Sequence, residues 1–233
     1  MLTAIHRGKA SQCFNGEELD WKELFSGSED SLTASIFERL FYLPTDLFWF
    51  ILRNSCYDND DLPKDCGSLI SKEFWPHWDA TKTSNSNYIE PDIFIRFEKF
   101  DLIIEAKRYD KNQQDPEQWK NQIDAYKNMH DKKLYYIALG GIRSEKKEKC
   151  NNVIIFPCQW NRILRAVKKE LSNITKDVDA TDAPILLRPI FEDLLLAFNI
   201  HEFAVGEWFE TMPHLDSYIN NQSLVTLSDL PFN

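Results

Sequence analysis

The sequence predicts a mixed α/β fold, with a mixed central sheet flanked by helices on both faces. Three observations carry that expectation. Two apolar runs, Ile93-Phe94-Ile95 with Phe97 and Leu102-Ile103-Ile104, flank a short Glu98-Lys99 break and read as a β-hairpin. Asp115-Pro116-Glu117-Gln118 then supplies an N-cap, a proline at the first helical position and a glutamine three residues after the cap. Beyond that helix come two more strands and a basic amphipathic helix, so elements of both types alternate along the chain. With 233 residues, 43% hydrophobic and 13% aromatic, the chain can bury a sizeable core.

The elements follow in order. Glu17 to Phe25 reads as a short helix. Ser31-Leu32-Thr33-Ala34 opens a stronger one, with Ile36, Phe37, Leu40 and Phe41 at helical spacing. Pro44 interrupts it, and Thr45-Asp46 can cap a second helix running through Leu52. The polar, acidic stretch from Tyr57 to Pro63 reads as a surface loop. A strand is expected from Ile70 to Trp78, followed by the Ser/Asn/Thr loop ATKTSNSN and then the hairpin. The Asp115 helix should reach Met129 or His130. Lys133 to Gly140 and Asn152 to Phe156 read as strands, and Trp160 to Leu171 as the basic helix. Asp177, Asp179 and Asp182 mark an acidic loop leading to Pro184. Ile185 to Phe198 is the last long helix, and the tail after Pro213 is less patterned.

Charge is unevenly spread. Residues 95–170 carry 17 Lys and Arg against 11 Asp and Glu, whereas residues 1–94 carry 8 against 16 and residues 171–233 carry 2 against 10. A basic middle between acidic flanks weakly favours a polyanionic partner, despite a net charge of -10. The start, MLTAIHRGKASQCF, lacks the apolar run of a signal peptide, and no apolar stretch approaches membrane-spanning length. Cys13, Cys56, Cys66, Cys150 and Cys158 form no C-x-x-C pair, so reduced thiols in a cytoplasmic protein are expected.

Side chains alternate across a strand. Asp101, Ile103, Glu105 and Lys107 should therefore share one face of the second hairpin strand, and Leu102, Ile104 and Ala106 the other. Asp92, Phe94 and Arg96 share a face of the first strand. Pairing can bring Asp92 beside Glu105, so that two carboxylates and a lysine converge at one end of a sheet. Hard divalent cations favour such an oxygen cluster, and a neighbouring lysine can orient a water or offset developing charge.

These residues resemble the PD-(D/E)xK phosphodiesterase superfamily, which includes many restriction and repair nucleases. Pro91-Asp92 fits the first half of its signature and Glu105-Ala106-Lys107 the second. Gln122-Ile123-Asp124-Ala125-Tyr126 looks like the Q-x-x-x-Y motif of the RecB-like branch. The resemblance covers residues 31–170, which implies a restriction-endonuclease-like core there, an N-terminal extension over 1–30 and a C-terminal helical extension over 171–233 packed on the core. It further implies an Mg2+-dependent nuclease, with Mn2+ as a substitute. Asp92, Glu105 and the Ala106 backbone carbonyl would hold the metal, joined by Glu38 from the first core helix. Lys107 would position the attacking water, and Gln122 and Tyr126 would orient Lys107 or the scissile phosphate. DNA is the expected substrate on superfamily frequency. A homodimer, or a larger complex in bacterial antiviral defence, is the setting suggested by analogy.

Each element also has a plainer reading. An E-x-K strand can simply face solvent, Asp92 can be a turn residue beside Pro91, and Glu38 can pair with a nearby arginine. Gln122 lies on the apolar stripe of Trp119, Ile123 and Tyr126, where a buried amide needs a partner. The aromatic patch from Phe74 to Trp78 could stack bases, with core packing as its default. The five histidines lack metal-ligand spacing, Gly140-Gly141 reads as a turn, and no Ser or Cys nucleophile motif occurs. The rival function is a non-catalytic subunit of the same fold that binds nucleic acid or assembles with proteins through its acidic flanks.

Overall fold

The computed structural model describes residues 2–7, 9, 13–14, 17–18, 20–81, 83–84, 87–109, 112–176 and 183–203. It is mixed α/β, as the hydrophobic patterning requires. The N-terminal elements are α1 (Leu2–His6), β1 (Cys13–Phe14), β2 (Glu17–Glu18), α2 (Trp21–Gly27), α3 (Glu29–Leu40) and α4 (Thr45–Ser55). Next come β3 (Leu69–Phe74), β4 (Trp78–Asp79), β5 (Tyr88–Ile89), β6 (Ile93–Phe97), β7 (Asp101–Ala106) and α5 (Pro116–Met129). The last are β8 (Leu134–Leu139), β9 (Glu148–Cys150), β10 (Val153–Cys158), α6 (Trp160–Lys176) and α7 (Ala183–Ile200).

Six strands form the main sheet in the order β3-β6-β7-β8-β10-β9. β6 and β7 are the expected antiparallel hairpin, with Ile93 opposite Ile104 and Arg96 opposite Asp101. β8 then joins β7 in parallel through the α5 crossover, and β10 joins β8 in parallel. β7 is therefore central and every one of its residues is buried. Its Ile103 face packs with Phe94 and Tyr136 against Trp119, Ile123 and Tyr126 of α5. Towards the other face, Trp49 of α4 meets Phe97 and Phe100, and Phe37 of α3 meets Trp160 of α6 edge-on. Helices thus cover both faces, and α7 lies against α3 and α6.

Several boundaries differ from expectation for local reasons. The helix expected from Glu17, α2, starts at Trp21, because Asp20 caps it by accepting from the Lys22 and Glu23 N–H groups, while Glu17 and Glu18 pair with Phe14 and Cys13. α4 begins after Pro44, which occupies the cap position without a side-chain bond. The strand expected from Ile70 to Trp78 breaks at Trp75, whose φ of 48° is left-handed, so Trp78 pairs instead with Ile89 in a separate two-stranded ribbon. Asp115 caps α5 as its sequence indicates, accepting from the Glu117 N–H. α3 begins at Glu29, inside the stretch set apart above as an N-terminal extension. Asp177, Asp179, Asp182 and the tail after Pro213 lie outside the described residues. Among the described residues no helix is long and apolar enough to cross a membrane.

Candidate functional site

The hairpin register delivers Asp92 to the end of β7. The Ala106 N–H donates to Asp92 Oδ2 at 2.7 Å, and the Asp92 carbonyl accepts from the Trp75 N–H. Glu105, only 1% exposed, stands on the α5 face of β7. Its Oε1 lies 2.6 Å from Lys107 Nζ, and its Oε2 accepts from Gln122 Nε2 at 2.7 Å. An ionised carboxylate only accepts, so the Gln122 NH2 must face Glu105, leaving Gln122 Oε1 to accept from the Tyr136 hydroxyl at 2.5 Å. Both ends of the Gln122 amide are thus engaged, which answers how a buried amide can sit on an apolar stripe.

Lys107 is anchored through its backbone. Its N–H donates to the Leu139 carbonyl at 2.7 Å, and its own carbonyl accepts from Trp160 Nε1 at 2.8 Å. Gly140 permits this closeness: a Cβ there would lie 2.0 Å from the Lys107 carbonyl oxygen, and its φ of 67° is left-handed. Gln114, also buried, donates to the carbonyls of Glu105 and Gly140, while its own oxygen accepts from Trp119 Nε1. The ends of β7 and β8 are therefore locked together beneath the lysine.

The structure brings Asp92, Glu105, Ala106, Lys107 and Gln122 together, and it does not bring Tyr126 or Glu38 to them. The Tyr126 hydroxyl lies 2.9 Å from both Asp101 Oδ2 and the Lys132 carbonyl, at the opposite end of β7. The reason is direction: α5 runs back along β7 from Glu105 toward Asp101, so one helical turn beyond Gln122 reaches the far end. Tyr136 supplies the hydroxyl that meets Gln122 instead. Glu38 is exposed on α3, where its charge acts on Lys72 of β3. The acid that α3 does contribute is Glu29 in its first turn, with Oε1 3.5 Å from Lys107 Nζ and Oε2 accepting from the Arg108 N–H at 2.7 Å. In sequence, Glu29 looks like an ordinary first-turn acid favoured by the helix dipole, and only its tertiary neighbours mark it.

Three carboxylates therefore surround one ammonium. Burial and the neighbouring Glu105 charge push the Asp92 carboxyl up to about 8. Burial also raises the proton affinity of Glu105, against the opposing pull of Lys107 and Gln122. Burial alone would lower Lys107, but the charges of Glu105, Asp92 and Glu29 outweigh it and leave the ammonium firmly protonated. Negative charge is in excess, and the oxygens present are hard carboxylate oxygens, a chemistry that suits a divalent cation such as Mg2+ once their present partners give way. Among the described residues no group of three or more His, Cys, Asp or Glu stands ready to hold a metal ion. A groove of about 510 Å3 reaches this site through Gln122, which stands in its wall and holds Glu105.

The aromatic patch is split between roles. Trp78 is buried against Phe94 and Tyr126, while His77 is exposed and stacks on Tyr88. Gly140 and Gly141 form a turn, as the sequence indicates. Cys56, Cys66, Cys150 and Cys158 are free thiols.

No protein-family model matches the chain, and no solved structure matches it. The chain is similar to an uncharacterized protein of Pasteurella multocida (strain Pm70), 33% identical over 178 residues that make up 75% of this chain; it spans 60% of that protein's length.

Proposed function

We propose that this chain is a metal-dependent nuclease that hydrolyses phosphodiester bonds, with DNA as its substrate, acting in the cytoplasm. The observation that carries the reading is the meeting of Asp92, Glu105 and Lys107 at one end of the central sheet, where β6 begins and β7 ends; these are the residues that resemble the PD-(D/E)xK signature in sequence. The elevated proton affinity of the paired carboxylates is the imprint expected of a site that awaits positive charge. Asp92, Glu105 and the Ala106 carbonyl would hold Mg2+, or Mn2+ in its place. A bound divalent cation supplies a more acidic water and neutralises charge that develops on a phosphoryl oxygen.

The chain's own residues do the positioning. Gln122 fixes the plane of the Glu105 carboxylate through one oxygen, and Tyr136 fixes Gln122. Lys107 keeps its charge and can hold a water or a phosphate oxygen once drawn from Glu105. Glu29 lies behind Lys107 and limits where the ammonium can point. Glu105→Ala and Lys107→Ala should each abolish Mg2+-dependent DNA cleavage, by at least about a hundredfold, while circular dichroism stays unchanged. Cleavage that survives both substitutions sinks the reading.

A second reading, a non-catalytic subunit of the same fold, has one observation in its favour. Both Glu105 oxygens are already engaged, by Lys107 and Gln122, and no three-ligand group is preformed. It expects intact DNA in the presence of Mg2+ together with binding to nucleic acid or to a partner protein.

A further inference from the structure

The groove beside Glu105 has a composition that a phosphate-binding channel would not have. Its wall from α5 presents Gln118, Asn121 and Gln122, one helical face at spacings of three and four residues. Glu117 of α5 lines it too, its other walls include Glu90 and Tyr88, and among the described residues no lysine or arginine lines it. The carboxylates repel phosphate, so whatever enters is neutral or cationic where it touches them. Gln122 is committed to Glu105, but the Gln118 side chain has no hydrogen-bond partner among the described residues. The Asn121 oxygen accepts from the Ser84 N–H and hydroxyl, and its NH2 has no hydrogen-bond partner among the described residues. At the rim, Tyr88 is 48% exposed and stacks on His77 with ring centres 4.4 Å apart and planes 18° apart.

Carboxamides pair with the donor-acceptor edges of bases, and carboxylates accept from their exocyclic amines. An exposed aromatic rim suits the face of a base, whatever its identity. A volume of about 510 Å3 falls within the range of sites for small molecules and single nucleotides. We propose that this groove receives an unpaired nucleobase next to the scissile phosphate, with Tyr88 as its stacking platform and Gln118 and Asn121 reading its edge. The substrate at the moment of cleavage is then single-stranded or locally unpaired. A base within a duplex stays stacked between its neighbours and flanked by phosphates that the acidic walls exclude. The inference rests on the nuclease reading and specifies the substrate class of that same site.

The test uses the full chain and dye-labelled deoxyoligonucleotides: homopolymers of dA, dC and dT, a mixed single strand, and that strand annealed to its complement. Fluorescence anisotropy should show the single strand bound at least about tenfold more tightly than the duplex. Tyr88→Ala should raise the single-strand Kd about fivefold or more, and Gln118→Leu should change the ranking among the homopolymers. Equal affinity for both forms, or a Kd unmoved by Tyr88→Ala in a folded variant, overturns the groove assignment. So does tighter binding of an oligolysine peptide than of any oligonucleotide. Mg2+-dependent cleavage by the unaltered chain, measured on both DNA forms, reports separately on the nuclease reading. Cleavage confined to the duplex would overturn the groove assignment alone, whereas cleavage of neither form would overturn both.

Discussion

Asp92 carries the clearest energetic signature of any residue in the site. Its carboxyl is pushed up to about 8 by burial and by Glu105, so the folded state holds the proton more tightly than the unfolded chain does. A raised folded-state pKa stabilises fully below the unfolded value, near 4, and that stabilisation is lost as pH rises through the folded value. The metal-free protein should therefore lose on the order of 4 kcal/mol from this group between pH 5 and pH 8. Asp92→Asn should abolish that part of the pH dependence and be the more stable protein at pH 8. Urea unfolding of both proteins across this range checks it, and parallel pH profiles would refute it. At this scale, Asp92, Glu105 and Lys107 were legible because their spacing and strand alternation are local facts. Glu29 and Tyr136 were not, since an acid in a first helical turn and a tyrosine in an apolar strand look the same whether or not they face a site. Glu38 misled for the same reason: spacing along α3 does not reveal which of its turns meets the end of β7.

Elements carry their own logic. β7 lies at the centre of the sheet with both faces buried, so Glu105 and Asp101 are embedded charges rather than residues of an exposed strand. Each has a built environment. Asp101 takes the Tyr126 hydroxyl, with Arg96 and Lys132 within 4 Å, while Glu105 takes Gln122 and Lys107. The Gln122 and Tyr126 pair was visible as a motif, but the helix divides its two members between the two ends of the strand. The Gly140 turn was also visible, though not its purpose, which is to let the end of β8 pass against the Lys107 carbonyl. Gly140→Ala combines a left-handed φ with a Cβ 2.0 Å from that oxygen. It should cost about 2 kcal/mol or more and displace Lys107. Chemical denaturation of this variant tests the point, and a loss below about 0.5 kcal/mol would mean that the backbone there adjusts freely.

Across the whole molecule, charge is sorted differently from what its distribution along the chain suggests. Among the described residues, no basic side chain of the central segment lines the groove at Gln122. Lys127, Lys132 and Lys133 instead border a separate cavity at the Asp101 end of the sheet, and Arg162, Arg165 and Lys169 lie on α6 beside Phe50. The carboxylate excess at the candidate site makes the stability of the whole fold sensitive to a cation. Mn2+ at a hundred times its Kd should add about 2.7 kcal/mol and raise Tm by several degrees, in an Asp92- and Glu105-dependent manner. Calorimetry with and without Mn2+, on the parent and on Glu105→Ala, measures this; an identical shift in both would place the metal elsewhere. The Asp115 cap of α5 and the hairpin with its two acids and lysine were determined by the sequence itself, because each depends on neighbours within a few residues. Only the tertiary structure decided that α3 offers Glu29 rather than Glu38, that Gln122 and Tyr126 part company, and that an acidic, amide-lined groove opens at Gln122. Those outcomes depend on how helices lie across a sheet, a packing geometry set by residues far apart in the chain.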